Sequence, residues 1–307
     1  MMASFNCEAY IAQQIDSILA QEGAEIFLVI SDDGSKDSTP QICIDYSQRF
    51  NNVIFRTNNT NKGVSENFMD MLYDANVSQY DYFAFADQDD IWLPQKLHAA
   101  IKKLSNHQEE AALYYSDVCN VDENLKNGRN EYFPFKPYAQ SLETLLIVNW
   151  ASGCTMVFNR KLAVLLNKIK PEYFPRFHDT WVHLVAMTCG ITIEDLDNAY
   201  ILRRITGKNQ VGESRFGTLD KRRLKEIKSH LLRSMSTKDR WATNQAKLLD
   251  KHCAEYMDQE SRETIRLFAS MPNSVSARFL CAFNPSYHHP FLLENISAHV
   301  RMLINYC

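Results

Sequence analysis

The sequence predicts an α/β fold, a mostly parallel sheet flanked by helices, followed by a helical C-terminal extension. Three observations carry this expectation. Short apolar runs alternate with amphipathic stretches through the first two-thirds of the 307 residues, and buried strands alternating with helices imply parallel pairing through right-handed crossovers. Two acidic turns, Asp32-Asp33-Gly34 and Asp87-Gln88-Asp89-Asp90, directly follow such runs, which is where open parallel sheets bind ligands. From Thr218 onward the alternation is lost and the pattern is helical.

In order, Ile26 to Ile30 is a continuous apolar run and reads as a strand. Thr39 to Phe50 reads as a helix, Val53 to Phe55 as a second strand, and Asn58 to Gly63 as a polar loop. Val64 to Ala75 follows as a helix with Phe68, Met71 and Leu72 on one face. Tyr82 to Phe85 is a third strand, Pro94 opens a helix to about Ser105, and Ala112 to Tyr115 is a fourth strand. Beyond Val118 the pattern is mixed: a strand at Cys154 to Phe158, a helix at His178 to Cys189 and a strand at Ala199 to Arg204. Gly212 to Gly217 is the best linker candidate. The chain therefore divides into a ligand-binding half, 1–117, a second half of the same domain, 118–215, and the extension, 216–307. A first strand should precede Asn6, but only Met1 to Phe5 stands there. Either that strand is very short or the natural start is longer.

The apolar fraction of 45% and charged fraction of 23% are those of a soluble globular protein. A net charge of −4 argues against a nucleic-acid-binding chain. Eight cysteines are scattered without metal-ligand spacing, as expected of single thiols in a reducing cytoplasm. The start has no signal-peptide pattern, and no apolar run nears the roughly 18–20 residues that span a bilayer. The expected location is cytoplasmic, with any membrane contact peripheral and on the inner face.

Two segments carry chemistry. Ser31-Asp32-Asp33-Gly34-Ser35 suits a turn and helix cap, but equally a carboxylate pair that accepts hydrogen bonds from a base or ribose. Asp87-Gln88-Asp89-Asp90 sets three carboxylates within four residues. Such charges repel unless a cation lies between them, and oxygen ligands suit Mg²⁺ or Mn²⁺. The same cluster could also be an acidic first helical turn facing solvent.

With both segments in view, the chain resembles the family 2 glycosyltransferases, which have the GT-A (Rossmann-like) fold. Ala3-Ser4-Phe5-Asn6 stands at their first strand end, and Ser31 to Ser35 at their nucleotide-binding turn. Asn61-Lys62-Gly63-Val64-Ser65-Glu66-Asn67 matches a second loop on the phosphate side, and Asp87-Gln88-Asp89 the metal-binding DxD motif. Trp150 to Cys154 and Phe177-His178-Asp179-Thr180-Trp181 match acceptor-side motifs. The order agrees from about Ala3 to Gly212. The forms Asp-Gln-Asp-Asp-Ile-Trp and His-Asp-x-Trp look most like a rhamnosyltransferase-like branch.

The resemblance implies a metal-dependent hexosyltransferase of polysaccharide or glycolipid biosynthesis. It would invert the anomeric centre and use a dTDP- or UDP-sugar donor, with a saccharide or lipid-linked acceptor. Asp33, with Asp32 and Phe5, is implied to hold the pyrimidine, Lys62 to lie on the phosphate side, and Asp87 to sit near the ribose. Asp89 is implied to bind the metal and Asp179 to be the general base. The position of Asp179 at a helix N-terminus favours its anion, which also fits a mere cap. His178 is a rival base, and Trp181 is either an acceptor-stacking ring or core. One departure matters. Relatives often carry a metal-binding His where this chain has Thr206, so weaker protein coordination is expected, with Arg204 or Lys208 left to neutralise the diphosphate.

Lys221 to Lys251 holds ten Lys/Arg against three acids. That is either a solvated helix face or a contact with an anionic membrane surface. A homodimer stays open. The main rival reading is a catalytically weak or inactive nucleotide-sugar-binding or scaffold protein of the same fold. A phosphatase using Asp87 as nucleophile is more remote, because no supporting Lys and acid motifs follow it.

Overall fold

In the computed structural model, which describes residues 1–131, 141–174, 177–206, 240–289 and 292–305, the N-terminal part is built on three parallel strands. These are β1 (Met2–Ser4), β2 (Leu28–Asp32) and β3 (Val53–Thr57), in that spatial order. The first strand is thus only three residues long. Helices α1 (Ile11–Leu19), α2 (Thr39–Arg49) and α3 (Val64–Asp74) connect and cover them. Ile11, Ile15 and Ile18 of α1 recur at helical spacing and are buried, which holds the helix on the sheet face. Gly63 caps α3 with φ 78° and ψ 161°, a backbone region that essentially only glycine reaches.

A second sheet carries β4 (Tyr82–Ala84), β5 (Ile91–Trp92), β6 (Ala112–Val121), β7 (Arg129–Asn130), β8 (Val157–Asn159) and β9 (Ile191–Arg204). Its order is β4-β8-β6-β9-β5, with β7 beside β6. The β6–β9 pair is parallel, but β8 runs antiparallel to both β4 and β6, and β5 antiparallel to β9. The sheet is therefore mixed here. All three residues of β8 are buried, Asn159 included, and so short a buried segment carries no alternation that would mark its direction. A parallel bridge between Met2 and Ala86 joins the two sheets.

β6 and β9 run further than their apolar segments. The polar residues that interrupt the pattern find partners across the ladder: Tyr114 Oη donates to Asp195 at 2.8 Å and Tyr115 Oη to Glu194 at 2.6 Å. Helix α4 (Lys96–Leu104) precedes β6. Helices α5 (Leu142–Ile147), α6 (Arg160–Lys168) and α7 (His178–Cys189) complete this part.

The extension is helical, with α8 (Trp241–Cys253), α9 (Gln259–Ser270), α10 (Val275–Phe283) and α11 (Leu292–Leu303). Ala242, Ala246, Leu249 and Cys253 line the inner face of α8. They join the core that also holds Phe68, Phe85 and Trp181. Ser141 Oγ and Thr144 Oγ1 both donate to Ser286 O, at 3.3 and 3.2 Å, which pins the loop after α10 to α5. Phe279, Leu280 and Phe283 of α10 face outward. Lys208, the linker at 212–217 and residues 221–239 of the basic stretch 221–251 lie outside the described residues. No described helix is long and apolar enough to cross a membrane.

Candidate active site

Strand ends and helix starts converge on one cleft of about 1120 Å³. At the end of β2, the two adjacent aspartates do different work. Asp32 is fully buried. It accepts from Gly34 N at 3.0 Å, Ser35 N at 2.8 Å and Ser4 Oγ at 3.1 Å, so it folds its own turn and ties it to β1. Asp33 faces the cleft. Its carboxylate accepts from Lys62 N at 2.9 Å, Gly63 N at 2.8 Å and Asn58 Nδ2 at 3.0 Å, which fixes the 58–63 loop against it. The Lys62 ammonium turns to Asp70 of α3, at 2.6 Å, and is not part of the cleft lining; only its backbone N–H serves the site.

Phe5 lines the cleft with its side chain 45% exposed. Gln88 clamps its backbone from both sides: Phe5 N donates to Gln88 Oε1 at 2.7 Å, and Gln88 Nε2 donates to Phe5 O at 3.1 Å. The middle residue of the acidic motif thereby fixes the acidic turn to the end of β1. The sequence reading assigned Gln88 no role, because a glutamine between aspartates reads as a spacer.

Asp87 and Asp89 both line the cleft. Burial first, then the charges of Asp89 and Asp179, push Asp87 up to about 7, against the pull of Arg203. Burial also raises Asp89, against Arg204 and Arg203. Asp90 lies behind them, 1% exposed, and neither of its oxygens makes a hydrogen bond of normal geometry. Burial, then Asp87 and Asp89, hold its carboxyl well above the usual range. Ligand atoms of Asp87, Asp90 and Cys154 lie within 4.8 Å of one another. Burial holds the Cys154 thiol well above its ordinary value, so the oxygens are the donors that count. Crowded, under-compensated carboxylates of this kind fit a hard divalent cation such as Mg²⁺ or Mn²⁺.

The two arginines at the end of β9 separate in the same way as the two aspartates. Arg203 lines the cleft, donates to Asn120 Oδ1 at 2.8 Å and pairs with Glu131. Arg204 is 3% exposed and sits behind the acidic turn. It donates to Asp89 O at 3.0 Å, to Glu123 O at 2.8 Å and to Gln13 Oε1, with its guanidinium over the Tyr10 ring. It holds the backbone of the acidic turn and is not among the residues that line the cleft. Thr206 does line it.

Asp179 opens α7 and faces the cleft. Gly153 N donates to Oδ2 at 3.2 Å and Thr180 N to Oδ1 at 2.6 Å. His178 is buried, stacked on Phe68 with 4.4 Å between ring centroids. Burial brings it down to about 4, so at neutral pH it is uncharged and a weak base beside Asp179. Trp181 is fully buried in the core, which corrects the stacking alternative: it directly follows the cleft-lining Thr180, but its ring packs inward. His289, from the extension, also lines the cleft; its distance in sequence from every motif left no signal to find it by.

The structure thus brings Phe5, Asp33, Asp87, Asp89 and Asp179 to one cleft. Asp32, Lys62 and Arg204 stand behind it as supports.

The cleft carries an acidic turn and a helix-borne carboxylate, and the comparisons give the class of the domain, a glycosyltransferase of GT-A fold. The family model "Glycosyl transferase family 2" matches residues 1–165, and the chain belongs to that family. It is 29% identical over 218 residues to a dTDP-rhamnosyl transferase, RfbG, of Shigella flexneri, covering 69% of this chain and 73% of that one. It is 31% identical over 143 residues to an uncharacterized glycosyltransferase of Methanocaldococcus jannaschii, covering 44% and 47%. Among solved structures it resembles S. aureus TarS 1-349 in complex with UDP-GlcNAc, with TM-score 0.55 and 17% identity over 99% of this chain and 90% of that one. It also resembles the mannosyltransferase PcManGT of Pyrobaculum calidifontis in complex with GDP-Man and Mn2+, with TM-score 0.52 and 13% identity over 98% and 85%.

Proposed function

We propose that this chain is an inverting, metal-dependent glycosyltransferase that moves rhamnose or a similar sugar from a dTDP- or UDP-linked donor to an acceptor hydroxyl. The observation that carries the reading is the meeting of Asp87, Asp89 and Asp179 in one cleft, close enough for Asp179 to raise Asp87. In this reading Phe5 and Asp33 bind the pyrimidine and Asp87 lies by the ribose. Asp89, with Asp87, would hold a divalent ion, which when bound would supply Lewis-acid stabilisation to the leaving diphosphate. Asp179 takes the proton of the acceptor hydroxyl as that oxygen attacks the anomeric carbon. The bond from that carbon to the diphosphate oxygen breaks as the new glycosidic bond forms. Arg203 is the one lysine or arginine of the cleft lining among the described residues, against eight carboxylates (Glu8, Asp33, Asp37, Asp87, Asp89, Glu123, Glu131 and Asp179). That balance favours a divalent cation as the partner of the diphosphate.

A saccharide or lipid-linked acceptor in polysaccharide assembly is the matching acceptor class, and the relative named as a dTDP-rhamnosyl transferase supports rhamnose. Thr206 in the cleft, where a metal-binding His was expected, favours the second reading, a weakly active or inactive nucleotide-sugar binder. The test is release of nucleoside diphosphate from dTDP-rhamnose and UDP-sugars, with Mn²⁺, Mg²⁺ or chelator. Metal-dependent release supports the first reading; binding without release supports the second. Peripheral attachment through the basic stretch is tested by flotation with anionic and neutral vesicles at low and high salt, since screening weakens charge attraction.

A further inference from the structure

The loop between α5 and β8 forms one wall of the cleft, and α7 grips it at both ends. At the far end Gly153 N donates to Asp179 Oδ2 at 3.2 Å. At the near end His183 Nδ1 lies 2.9 Å from Asn149 Oδ1. Asp179 and His183 are four residues apart on one helix, hence on one face.

The Asn149 side chain is fixed by its own loop. Its Nδ2 donates to Ala151 O at 2.9 Å, and its Oδ1 accepts from Ala151 N at 3.2 Å. A flipped amide would set donor against donor and acceptor against acceptor, so Oδ1 faces His183. An amide oxygen only accepts, so His183 carries its proton on Nδ1 and donates. His183 is fully buried, edge-on to Tyr115 with 5.0 Å between centroids, and Nε2 makes no hydrogen bond. Burial brings the ring down to about 3, so it stays neutral and keeps this tautomer at any working pH.

We infer that His183 is a positioning residue for the Asp179 base. Through Asn149 it sets the start of the 149–153 loop, and the loop in turn presents Gly153 N–H to the Asp179 carboxylate. It touches neither donor nor acceptor. The proposal rests on the reading of Asp179 given above and adds the residue that orients it.

The experiment measures nucleoside diphosphate release from dTDP-rhamnose or UDP-N-acetylglucosamine in water, with Mn²⁺ and no acceptor, so that water takes the acceptor's place. His183→Phe should lower kcat roughly 10- to 100-fold, the scale of a misplaced catalytic group. KM for the donor and the calorimetric affinity for dTDP or UDP should stay unchanged. His183→Gln, which keeps an N–H donor, should recover most of the rate. In the Asp179→Asn background His183→Phe should cost almost nothing further, because both changes remove the same function. An equal loss in both backgrounds, or an unchanged kcat, overturns the proposal. Should His183→Phe fail to fold, Asn149→Ala is judged by the same criteria. Absence of wild-type turnover on both donors counts instead against the functional reading on which the proposal stands, and withdraws it.

Discussion

At the scale of single residues, the site depends on carboxylates kept in unequal surroundings. Asp179 sits at a helix N-terminus with two backbone N–H groups on its oxygens, which hold its carboxylate at the cleft where the proposed base is needed. Asp179→Asn should lower donor turnover by about 10²–10⁴-fold while leaving the calorimetric affinity for UDP or dTDP intact. A collapse of nucleotide affinity with turnover preserved places Asp179 on the donor side instead. Asp90 is the opposite case, a buried carboxylate without a normal hydrogen bond and raised well above its ordinary value. A raised carboxylate binds more protons folded than unfolded, so it erodes stability as pH climbs from the ordinary value toward the folded one. Asp90→Asn mimics the protonated form at every pH. The metal-free variant should match wild type near pH 4 and unfold at higher temperature by pH 8. An equal thermal shift at both pH values contradicts this.

The adjacent aspartates and the adjacent arginines also mark what residue-level reading reached and what it did not. Asp33, Asp87, Asp89 and Asp179 were legible as residues of one cleft, which all four line, because their order and neighbours match the family's motifs. Asp32 stands next to Asp33, yet its oxygens are taken up by its own turn and by Ser4 of β1. Lys62 and Arg204 were assigned to the donor, but each finds a nearer partner, Asp70 and the Asp89 carbonyl respectively. Which way a long cation swings is decided by three-dimensional neighbours that spacing along the chain does not reveal.

At the scale of elements, the site is a set of strand ends tied together by side chains from behind. Arg204 joins α1, the acidic turn and the segment after β6 through Gln13, Asp89 and Glu123. Outer supports of metal sites typically contribute 10- to 100-fold to affinity. Arg204→Met should therefore weaken Mn²⁺ binding, measured by calorimetry with UDP present, by about that factor. Unchanged affinity would show that the acidic turn holds its shape without the guanidinium. Helices such as α2 and α3 were legible to within a residue or two, since their apolar spacing is strong. Strand direction was not: β8 is only three buried residues, Val157, Phe158 and Asn159, and its pairing with β4 and β6 alone makes it antiparallel.

At the scale of the whole molecule, the extension is not an appendage. Ala246, Leu249 and Phe268 are fully buried in the same core as Trp181 and Phe85, and His289 reaches the cleft. Leu249→Ala should cost about 2–5 kcal/mol, and chemical unfolding should remain one cooperative transition. Two separated transitions, with only the second sensitive to nucleotide, would make the extension an independent domain. The sequence pattern predicted helices here but not which faces are buried: Phe279, Leu280 and Phe283 are exposed, while Ala242, Ala246 and Leu249 form the packed face of α8.

The most direct measurement is nucleoside diphosphate release from a nucleotide-sugar donor by wild type and by Asp89→Asn, with Mn²⁺ and with excess chelator. The account predicts turnover by wild type with Mn²⁺ alone, and none by Asp89→Asn with its fold intact by circular dichroism. Full turnover by Asp89→Asn, or by wild type in chelator, contradicts it.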